Sequence, residues 1–230
     1  PDHRKRLNAQ VMKLDMSGDQ CTATLTNGEH VSADHVVFAV PPRVAAEITF
    51  SPALPANALQ AMTGVATWMA GQAKAVAVYD TPFWRTQGLS GDAMSRIGPM
   101  VEIHDASPLE GGPYGLFGFI GVPPQGRVDE QLLHQHLRVQ LVRLFGPQAA
   151  DPQKLYVKDW AFDPYTATEA DQAPFYSHPT YGLPQAMTNL WNGKLHFAGT
   201  EVAPDFGGYI EGALEAAENV LSNFSKTGLG

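Results

Sequence analysis

Residues 196 to 220, HFAGTEVAPDFGGYIEGALEAAENV, combine a short apolar strand, a glycine pair and an amphipathic helix. Thr200 and Glu201 stand at the carboxyl end of that strand, where the ligands of open α/β sheets tend to bind. The helix is expected to begin near Gly207-Gly208, and a helix N-terminus presents unpaired N–H donors and a partial positive charge. The pattern therefore predicts a site for an anionic or electron-rich ligand. A tight turn between strand and helix would also use the two glycines, and the sequence leaves that alternative open.

A second candidate is Lys74, which interrupts the apolar run AKAVAVY at residues 73–79. Most lysines lie at a surface and point into solvent, so an edge-strand lysine and a functional lysine both fit this position. Other chemistry finds little support, because the eight histidines show no metal-ligand spacing and no Gly-x-Ser-x-Gly nucleophile turn occurs. Neither a metal site nor a hydrolase site is predicted.

The elements that position these residues are predicted from hydrophobic periodicity. Strand patterns from Val11 to Val40, with a turn at Asn27-Gly28, predict a small antiparallel meander that runs into a last strand. Residues 36–40 are apolar without alternation, which predicts a strand covered on both faces in a parallel sheet. A further strand is predicted near residues 72–79, and helical spacing predicts an amphipathic helix from Val128 to Phe145.

Length and composition exclude several classes of protein. The 230 residues are 44% hydrophobic, which suits one large domain or two small domains with a real core. Fifteen Lys and Arg against 23 Asp and Glu give a net charge of -8 without a basic face, so no nucleic-acid partner is expected. The longest apolar runs fall far below the roughly 20 residues that span a bilayer, so no membrane partner is expected either. No targeting signal is recognised, and the expected compartment is the cytoplasm.

The string FAGTEVAPDFGGYIEGALEAAE resembles the C-terminal FAD-binding signature of the flavin-containing amine oxidases. Three further segments, HVVFAVPP, AKAVAVYDTPFW and WAFDPY, match in the family's order, so the resemblance extends over nearly all of the chain. The family's N-terminal Gly-x-Gly-x-x-Gly turn, which holds the FAD diphosphate, does not occur in these residues. The chain therefore resembles the C-terminal half of an amine oxidase, as a truncated product, a proteolytic piece or one subunit of a split enzyme.

The resemblance implies a mixed α+β and α/β fold with two domains. Residues 1–50 and 190–230 would form the remainder of a partial, Rossmann-like FAD-binding domain, which contains the β-meander, its last strand and the C-terminal helix. Residues 51–189 would form a substrate-binding domain with a mixed β-sheet flanked by helices.

The resemblance also implies which residues surround a non-covalently bound FAD. Val11 and Ala39 match backbone positions near the adenine, and Trp160 and Tyr165 match the aromatic pair beside the isoalloxazine. For all four, an ordinary strand or core role remains an alternative. Six further residues match positions that surround the flavin in the family. They belong to the segments FAGTE and GGYIEG and are Gly199, Thr200, Glu201, Gly208, Tyr209 and Ile210. Covalent flavin is not expected, because Glu169 stands where some members attach FAD through a cysteine.

Two catalytic roles follow from the same resemblance. In the family, the lysine at the position of Lys74 holds a water against flavin N5 and assists the reaction with oxygen. Tyr209 matches one wall of an aromatic cage that aligns the amine. Because Ala170 replaces the second cage tyrosine, Phe175 or Tyr176 would have to supply the other wall. Substrates broader than small arylalkylamines are therefore expected.

The implied reaction is the oxidation of a small-molecule amine. Hydride passes from the amine Cα to flavin N5, the imine hydrolyses, and O2 reoxidises the flavin with release of hydrogen peroxide. An N-terminal FAD-binding chain or segment would be required, and the isolated half is expected neither to retain FAD nor to be active. Two alternatives remain open: a flavin-dependent desaturase or porphyrinogen-type oxidase, and a catalytically inert binding or subunit fragment.

Overall fold

The structure is a computed structural model that describes residues 4–173 and 178–226. The chain divides into two compact units, and each is described by itself. The first contains residues 1–68, 164–168 and 175–230, and the second contains residues 69–163 and 169–174. The predicted domain boundaries, 1–50 with 190–230 and 51–189, remain a prediction.

Strands and helices are mixed in the described residues, as the predicted fold class requires. The strands are β1 (Val11–Ser17), β2 (Gln20–Leu25), β3 (His30–Ala33), β4 (Val36–Phe38), β5 (Thr49–Ser51), β6 (Ala73–Tyr79), β7 (Ala93–Met94), β8 (Met100–Asp105), β9 (Tyr114–Ile120), β10 (Lys154–Asp159) and β11 (Leu195–Phe197). The α-helices are α1 (Pro42–Ala45), α2 (Ala56–Gly64), α3 (Phe83–Thr86), α4 (Glu130–Phe145) and α5 (Ile210–Lys226). Short 3-10 helices occupy Pro124–Gly126, Pro147–Ala150, Trp160–Phe162, Glu169–Gln172, Gln185–Met187 and Thr200–Val202.

The first unit contains the predicted meander. Its four-stranded sheet has the order β3-β2-β1-β5, with β1 antiparallel to β2 and parallel to β5. Gly28 lies in the turn between β2 and β3 with a φ of 86°, a conformation that favours glycine. Leu14 and Cys21 are buried in the core of the first unit and mark the inner face of this sheet.

A separate parallel pair, β4 with β11, confirms the predicted parallel pairing of the strand at residues 36–40. On one face of the pair, the Phe38 and Phe197 rings stack with centroids 5.2 Å apart and join the core of the first unit. The prediction that both faces are covered is wrong at Val37, which is 45% exposed. An unbroken apolar run shows that a strand suits burial on both sides, but the covering element must come from elsewhere in the chain.

The second unit is built on an antiparallel sheet of order β10-β6-β9-β8-β7. Helix α4 is capped at its start by Asp129, whose side chain accepts a hydrogen bond from Leu132 N, and at its end by Gly146, which has a φ of 88°. Leu137 and Leu141 are buried on this helix and pack in the same core as the alanines of β6. The helix predicted at residues 128–145 is therefore confirmed.

Two further kinds of structure are absent from residues 4–173 and 178–226. None of these helices is both long enough and apolar enough to cross a membrane. No group of three or more His, Cys, Asp or Glu side chains in the same residues is arranged to hold a metal ion. The cytoplasmic location remains a prediction.

Candidate functional site

The turn that follows β11 brings the backbone close to a buried acidic side chain. Gly199 is buried, and a Cβ atom at this position would lie 2.8 Å from Glu201 Oε2 and 3.3 Å from Val40 O. Both distances are shorter than ordinary contacts, so a side chain at this position would have to displace the end of Glu201 and shift Val40 O slightly. The Glu201 side chain is only 5% exposed. A buried carboxylate is therefore held at the carboxyl end of β11, where the sequence predicted a ligand site.

The start of α5 is tied to that turn by a hydrogen bond. Thr200 Oγ1 donates to Tyr209 O at 2.7 Å, and Tyr209 N donates to Phe206 O at 3.2 Å. Gly208 has a φ of 83°, so the chain enters the helix through a conformation that favours glycine. The turn after β11 and the first residues of α5 together form one cradle, which we call the glycine cradle (residues 199–201 and 207–212).

The glycine cradle contains the start of helix α5, which offers hydrogen-bond donors. Helix α5 spans Ile210–Lys226, and the first N–H groups of a helix have no acceptor within the helix. These donors and the helix dipole favour negative charge at this end. Tyr209 is 67% exposed and Ile210 is 85% exposed, so the helix start is accessible. A Cβ atom at Gly212 would overlap Phe206 O, which shows how closely the chain wraps this end of the helix.

Tyr181 is a residue of this region that the sequence analysis missed. A Cβ atom on Gly208 would lie 2.5 Å from Tyr181 Oη, and one on Gly207 would overlap the Tyr181 ring. Burial raises the pKa of Tyr181, and the charges of Tyr209 and Glu201 raise it further. The phenol is therefore a neutral hydroxyl beside the cradle. The sequence carries only a weak signal for it, a tyrosine in the irregular stretch HPTYGLP.

Lys74 lies on a central strand of the second unit, so the edge-strand alternative is wrong. Strand β6 pairs with β10 on one side and β9 on the other, and Lys74 is opposite Lys158 and Phe119 in these pairings. The alternate residues of β6 that begin with Ala73 are buried against α4, whereas Lys74 is on the other, half-buried face. Its Nζ atom is 5.3 Å from the centroid of the Phe119 ring. The lysine is thus presented on an aromatic sheet face.

Lys158 is the cross-strand partner of Lys74 and also contacts the ring of Trp160. The Lys158 Nζ atom lies 4.6 Å from the Trp160 ring centroid and donates to Asp163 Oδ2 at 2.5 Å. Asp163 thereby compensates one of two lysines that the register places side by side. Lys158 was not singled out from the sequence, because cross-strand register cannot be read from a single strand pattern.

The remaining predicted residues are distributed as follows. Val11 is half-buried at the start of β1, Ala39 is exposed just after β4, and Tyr165 is 61% exposed in the first unit. Phe175 and Tyr176 lie outside the described residues. The structure brings together Gly199, Thr200, Glu201, Gly208, Tyr209 and Ile210 in the first unit, and Lys74 and Trp160 in the second. Their individual roles remain predictions.

The comparison with protein families matches residues 1–220 to the flavin containing amine oxidoreductases. The chain belongs to this family. Members of this family use FAD as their cofactor. The match covers both units, so the predicted family resemblance is confirmed for nearly the whole chain.

Several curated relatives and solved structures are similar to this member of the family. The AofH protein of Mycobacterium tuberculosis (strain CDC 1551 / Oshkosh), whose name assigns it to the flavin-containing monoamine oxidases, is 32% identical over 231 residues, which are 95% of this chain and 47% of AofH. Amine oxidase [flavin-containing] B of Sus scrofa is 28% identical over 94% of this chain and 42% of its own length. The chain therefore spans about half the length of the curated relatives that it matches.

Solved structures agree with this half-length match. Cyclohexylamine oxidase from Brevibacterium oxydans IH-35A is 27% identical with a TM-score of 0.72, over 96% of this chain and 49% of that one. Putrescine oxidase bound to putrescine has a TM-score of 0.71 over the same two shares, and at 22% identity it shows the fold alone.

One feature of the glycine cradle would suit the redox-active ring of a flavin. At Gly199 and Gly208 the chain's own Glu201 and Tyr181 side chains lie directly against the backbone, within 2.8 and 2.5 Å of where a Cβ atom would stand. The α5 N–H groups are donors, which suits the pyrimidine edge of a flavin, where negative charge accumulates on reduction. We therefore regard residues 199–201 and 208–210 as the set that would hold the ring.

Proposed function

We propose that this chain is the flavin-ring-binding and amine-facing part of an FAD-dependent amine oxidase. The observation that carries the proposal is the hydrogen bond from Thr200 Oγ1 to Tyr209 O, which joins the turn after β11 to the start of α5. This hydrogen bond holds the two segments together as one site that contains glycines and offers backbone N–H donors. The chain that contains this site matches the family from residue 1 to 220. When bound, FAD accepts two electrons from the amine and passes them to O2, which gives hydrogen peroxide.

The chain's own residues supply binding and orientation. The N–H groups at the start of α5 hold the electron-rich edge of the ring, and fixed dipoles of this kind need little reorganisation when charge develops. The exposed ring of Tyr209 offers the amine an aromatic wall. Lys74 offers an ammonium that can hold a water molecule for the oxygen reaction. No side chain needs to act as a strong base, since the cofactor supplies the redox chemistry.

Non-covalent attachment of FAD is part of the proposal. The sequence contains a single cysteine, Cys21, and its side chain is buried in β2. Burial raises the pKa of the Cys21 thiol, which disfavours the thiolate needed for attachment. A flavin at the glycine cradle is therefore expected to leave the protein on denaturation without a covalent tether.

The proposed substrate is a small-molecule amine, with O2 as the second substrate. The names of the similar proteins, a flavin-containing monoamine oxidase and a cyclohexylamine oxidase, support this class. Because the chain spans about half of its relatives, we assign the FAD diphosphate to the half that it does not match, supplied as a further segment or a separate chain. On its own, the chain is expected neither to retain FAD nor to turn over an amine.

The test is stopped-flow flavin spectroscopy on the chain produced together with the part of AofH that it does not match. We expect cyclohexylamine or benzylamine to reduce the bound flavin without oxygen, and hydrogen peroxide to appear when oxygen is admitted. Lys74→Met should slow reoxidation by at least about tenfold and leave anaerobic reduction nearly unchanged, because one fixed charge or donor is removed.

The matched control is Lys154→Met. Lys154 is an exposed lysine of β10, directly opposite Val78 of β6, so it shares the sheet with Lys74 but stands farther along the strand. The proposal fails if the reconstituted flavin is not reduced by any amine. If amines reduce the flavin but both lysine variants reoxidise at the wild-type rate, the lysine has no oxygen role and a desaturase-type flavoenzyme is favoured.

A further inference from the structure

A cavity of about 300 Å³ lies in the first unit, beside helix α5 and strand β11. Asn219 is one of the α5 residues that line it, and the rise of a helix places Asn219 about 14 Å along the axis from Ile210. The cavity is therefore distinct from the helix start that forms part of the glycine cradle. Its volume is at the lower end of the range for small-molecule pockets. We call it the α5 cavity. Its lining residues include Met187, Asn189, Phe197, Ala216, Asn219 and Val220.

The floor of the α5 cavity is apolar. Met187 is 1% exposed, and Phe197 and Ala216 are also buried. These three side chains come from a 3-10 helix, from β11 and from α5, and all of them pack in the core of the first unit. A ligand that enters the cavity would therefore meet an apolar surface that core packing already holds in place, which favours a ligand with an apolar ring.

The polar groups around this floor are uncharged. Asn189 and Asn219 line the cavity at the surface, and neither side-chain amide has a hydrogen-bond partner within the described residues. His196 also lines the cavity, but its Nε2 atom is 3.1 Å from Nδ1 of His35, so this nitrogen is already in a hydrogen bond. Among the lining residues that the structure describes, none is a lysine, arginine, aspartate or glutamate. The lining therefore disfavours both an ammonium and a carboxylate, because neither would meet an opposite charge there.

Phe197 lines the cavity and has backbone groups that strand β4 does not use. Lys194 O and Ala198 N both bond with residues of β4. Because neighbouring residues of a strand direct their N–H and C=O groups to opposite sides, the groups of Phe197 face away from β4. A carboxamide carries both donors and an acceptor, so it can pair with a peptide unit and with an asparagine side chain at the same time.

The wall that carries Asn189 is a strained turn. Asn189, Trp191 and Asn192 have φ angles of 54°, 49° and 54°, in the left-handed region that a bulky residue such as tryptophan rarely adopts. The Trp191 side chain holds this turn in place, because it is buried and its Nε1 atom donates to Pro52 O at 3.1 Å. Such strain persists only where the surrounding structure fixes it, and it is concentrated at functional sites. Asn189 therefore has a fixed backbone position before any ligand binds.

We propose that the α5 cavity binds a neutral aromatic amide, with its ring on the apolar floor and its amide group beside Asn189, Asn219 and the backbone of Phe197. A cavity of this volume, filled to the packing density of a protein interior, holds about 12–15 non-hydrogen atoms. The ligand is therefore about as large as a carboxamide on two fused aromatic rings. The inference does not rest on the proposed function, because the cavity lies outside the residues assigned to the flavin and the amine.

The test compares three ligands that share one bicyclic ring and differ in their polar group: 2-naphthamide, 2-naphthoate and 2-naphthylmethylammonium. Each ligand is titrated into the chain, whose methionine methyl groups carry carbon-13, and binding is followed by the NMR signals of these methyl groups. We expect 2-naphthamide to shift the Met187 signal with a dissociation constant on the order of 1 mM or below. The two charged ligands should bind at least about tenfold more weakly, because the lining offers them no opposite charge.

Met94 serves as the control for the position of binding. It is 79% exposed in the second unit, so a ligand that coats apolar surface without selection would shift the Met94 signal as well. Binding at the α5 cavity should shift the Met187 signal and leave the Met94 signal where it is.

A change of charge at the mouth of the cavity gives a second readout. Asn219→Asp keeps the size of the side chain, removes a donor and adds a negative charge. It should weaken the binding of 2-naphthamide and tighten that of 2-naphthylmethylammonium, each by at least about fivefold. Asn192→Asp is the matched control, since it adds the same charge to an exposed asparagine of the strained turn that does not line the cavity. Both substitutions are at the surface, so the chain should remain folded.

Three results would overturn the inference. The first is that 2-naphthamide leaves the Met187 signal unchanged up to its solubility limit, or shifts the Met94 signal equally. The second is that either charged ligand binds as tightly as the amide. The third is that Asn192→Asp changes the affinities as much as Asn219→Asp does. Because none of these measurements uses flavin or turnover, a reconstituted enzyme that oxidises no amine would contradict the proposed function and leave the α5 cavity as a ligand site.

Discussion

The Nδ1 atom of His35 lies 3.1 Å from the Nε2 atom of His196, and the edge of Phe224 packs against both rings. The two imidazoles are 161 positions apart in the chain and join the residue before β4, strand β11 and the end of α5. Since one nitrogen must donate and the other accept, the two rings cannot both be protonated while this hydrogen bond is kept.

We expect this pair to make the first unit less stable in mild acid. Burial lowers the pKa of His196, the neighbouring His35 lowers it further, and a backbone hydrogen bond at Gly193 acts in the opposite direction. A depressed histidine pKa gives stability that is fully present above the unfolded value of about 6.5 and is lost as the pH falls through the folded value. The urea midpoint followed by Trp191 fluorescence should therefore fall between pH 7.5 and pH 5.5, and His196→Asn should flatten that dependence. An unchanged slope in His196→Asn would refute the assignment.

The pH dependence of stability that comes from His104 should have the opposite sign to that from His196. Hydrogen bonds to Glu102 and Asp92 raise the pKa of His104, with Nε2 at 2.6 Å from Glu102 Oε1. A raised histidine pKa gives stability that is present below the unfolded value and is lost as the pH rises through the folded value. The side chain is 45% exposed, so salt should weaken the effect. An NMR titration of the His104 ring should give a midpoint above about 6.5. Glu102→Gln should lower that midpoint, and a midpoint unmoved by the substitution would count against this ion pair.

The local elements were largely predictable, because they depend on periodicity and on capping residues. Helix α4 follows from its leucine spacing, and the change of period between β11 and α5 located the glycine cradle to within a few residues. What the sequence could not provide was contact between distant segments. Tyr181 reaches Gly208 from an irregular stretch, and Lys158 meets Lys74 through a strand register.

The same distinction explains the error at Val37. The run Val-Val-Phe-Ala-Val predicted a strand covered on both faces, and the residue types are those of a buried strand. Within the described residues only one face of β4 is covered at this position, because α5 lies over β11. The apolar pattern indicates that a strand is suited to burial on both faces, but it does not identify the element that covers each face.

Arg127 should be among the most sensitive residues of the second unit. Its side chain is 2% exposed, and it donates through Nε and Nη2 to the two carboxylate oxygens of Asp159 at 2.6 and 2.8 Å. It also donates to the carbonyl oxygens of Gly71 and Val122. Arg127→Met would leave Asp159, which is 17% exposed, with a partly buried and uncompensated charge, so we expect a loss of up to about 3–5 kcal/mol in the free energy of unfolding. Arg127→Lys should recover only part of that loss, because an ammonium cannot make the paired contact. Full recovery by lysine in urea unfolding would contradict this geometry.

The last prediction concerns Gly212. It tests whether the close contacts at this glycine determine the shape of the glycine cradle, or whether any helical glycine would respond to substitution in the same way. A Cβ atom at Gly212 would overlap Phe206 O and lie 2.7 Å from Thr200 Oγ1, so Gly212→Ala must push the start of α5 away from the turn after β11. We expect a loss of about 1–3 kcal/mol in stability, the range for overpacking a close contact. In the flavin-loaded complex we also expect weaker FAD retention, measured by absorbance at the visible flavin band after dialysis.

Gly64→Ala in α2 is the matched control for that substitution. Both glycines are helical and neither has a positive φ, but a Cβ atom at Gly64 meets no heavy atom within 4 Å. Gly64→Ala should therefore be neutral or should stabilise the protein by about 0.4–1 kcal/mol through the unfolded chain. If the two variants unfold at the same urea midpoint and hold flavin equally well, the close approach of Phe206 and Thr200 to Gly212 does not shape the cradle. If only Gly212→Ala loses flavin, the contact between these segments sets the position of the helix N-terminus that the ring requires.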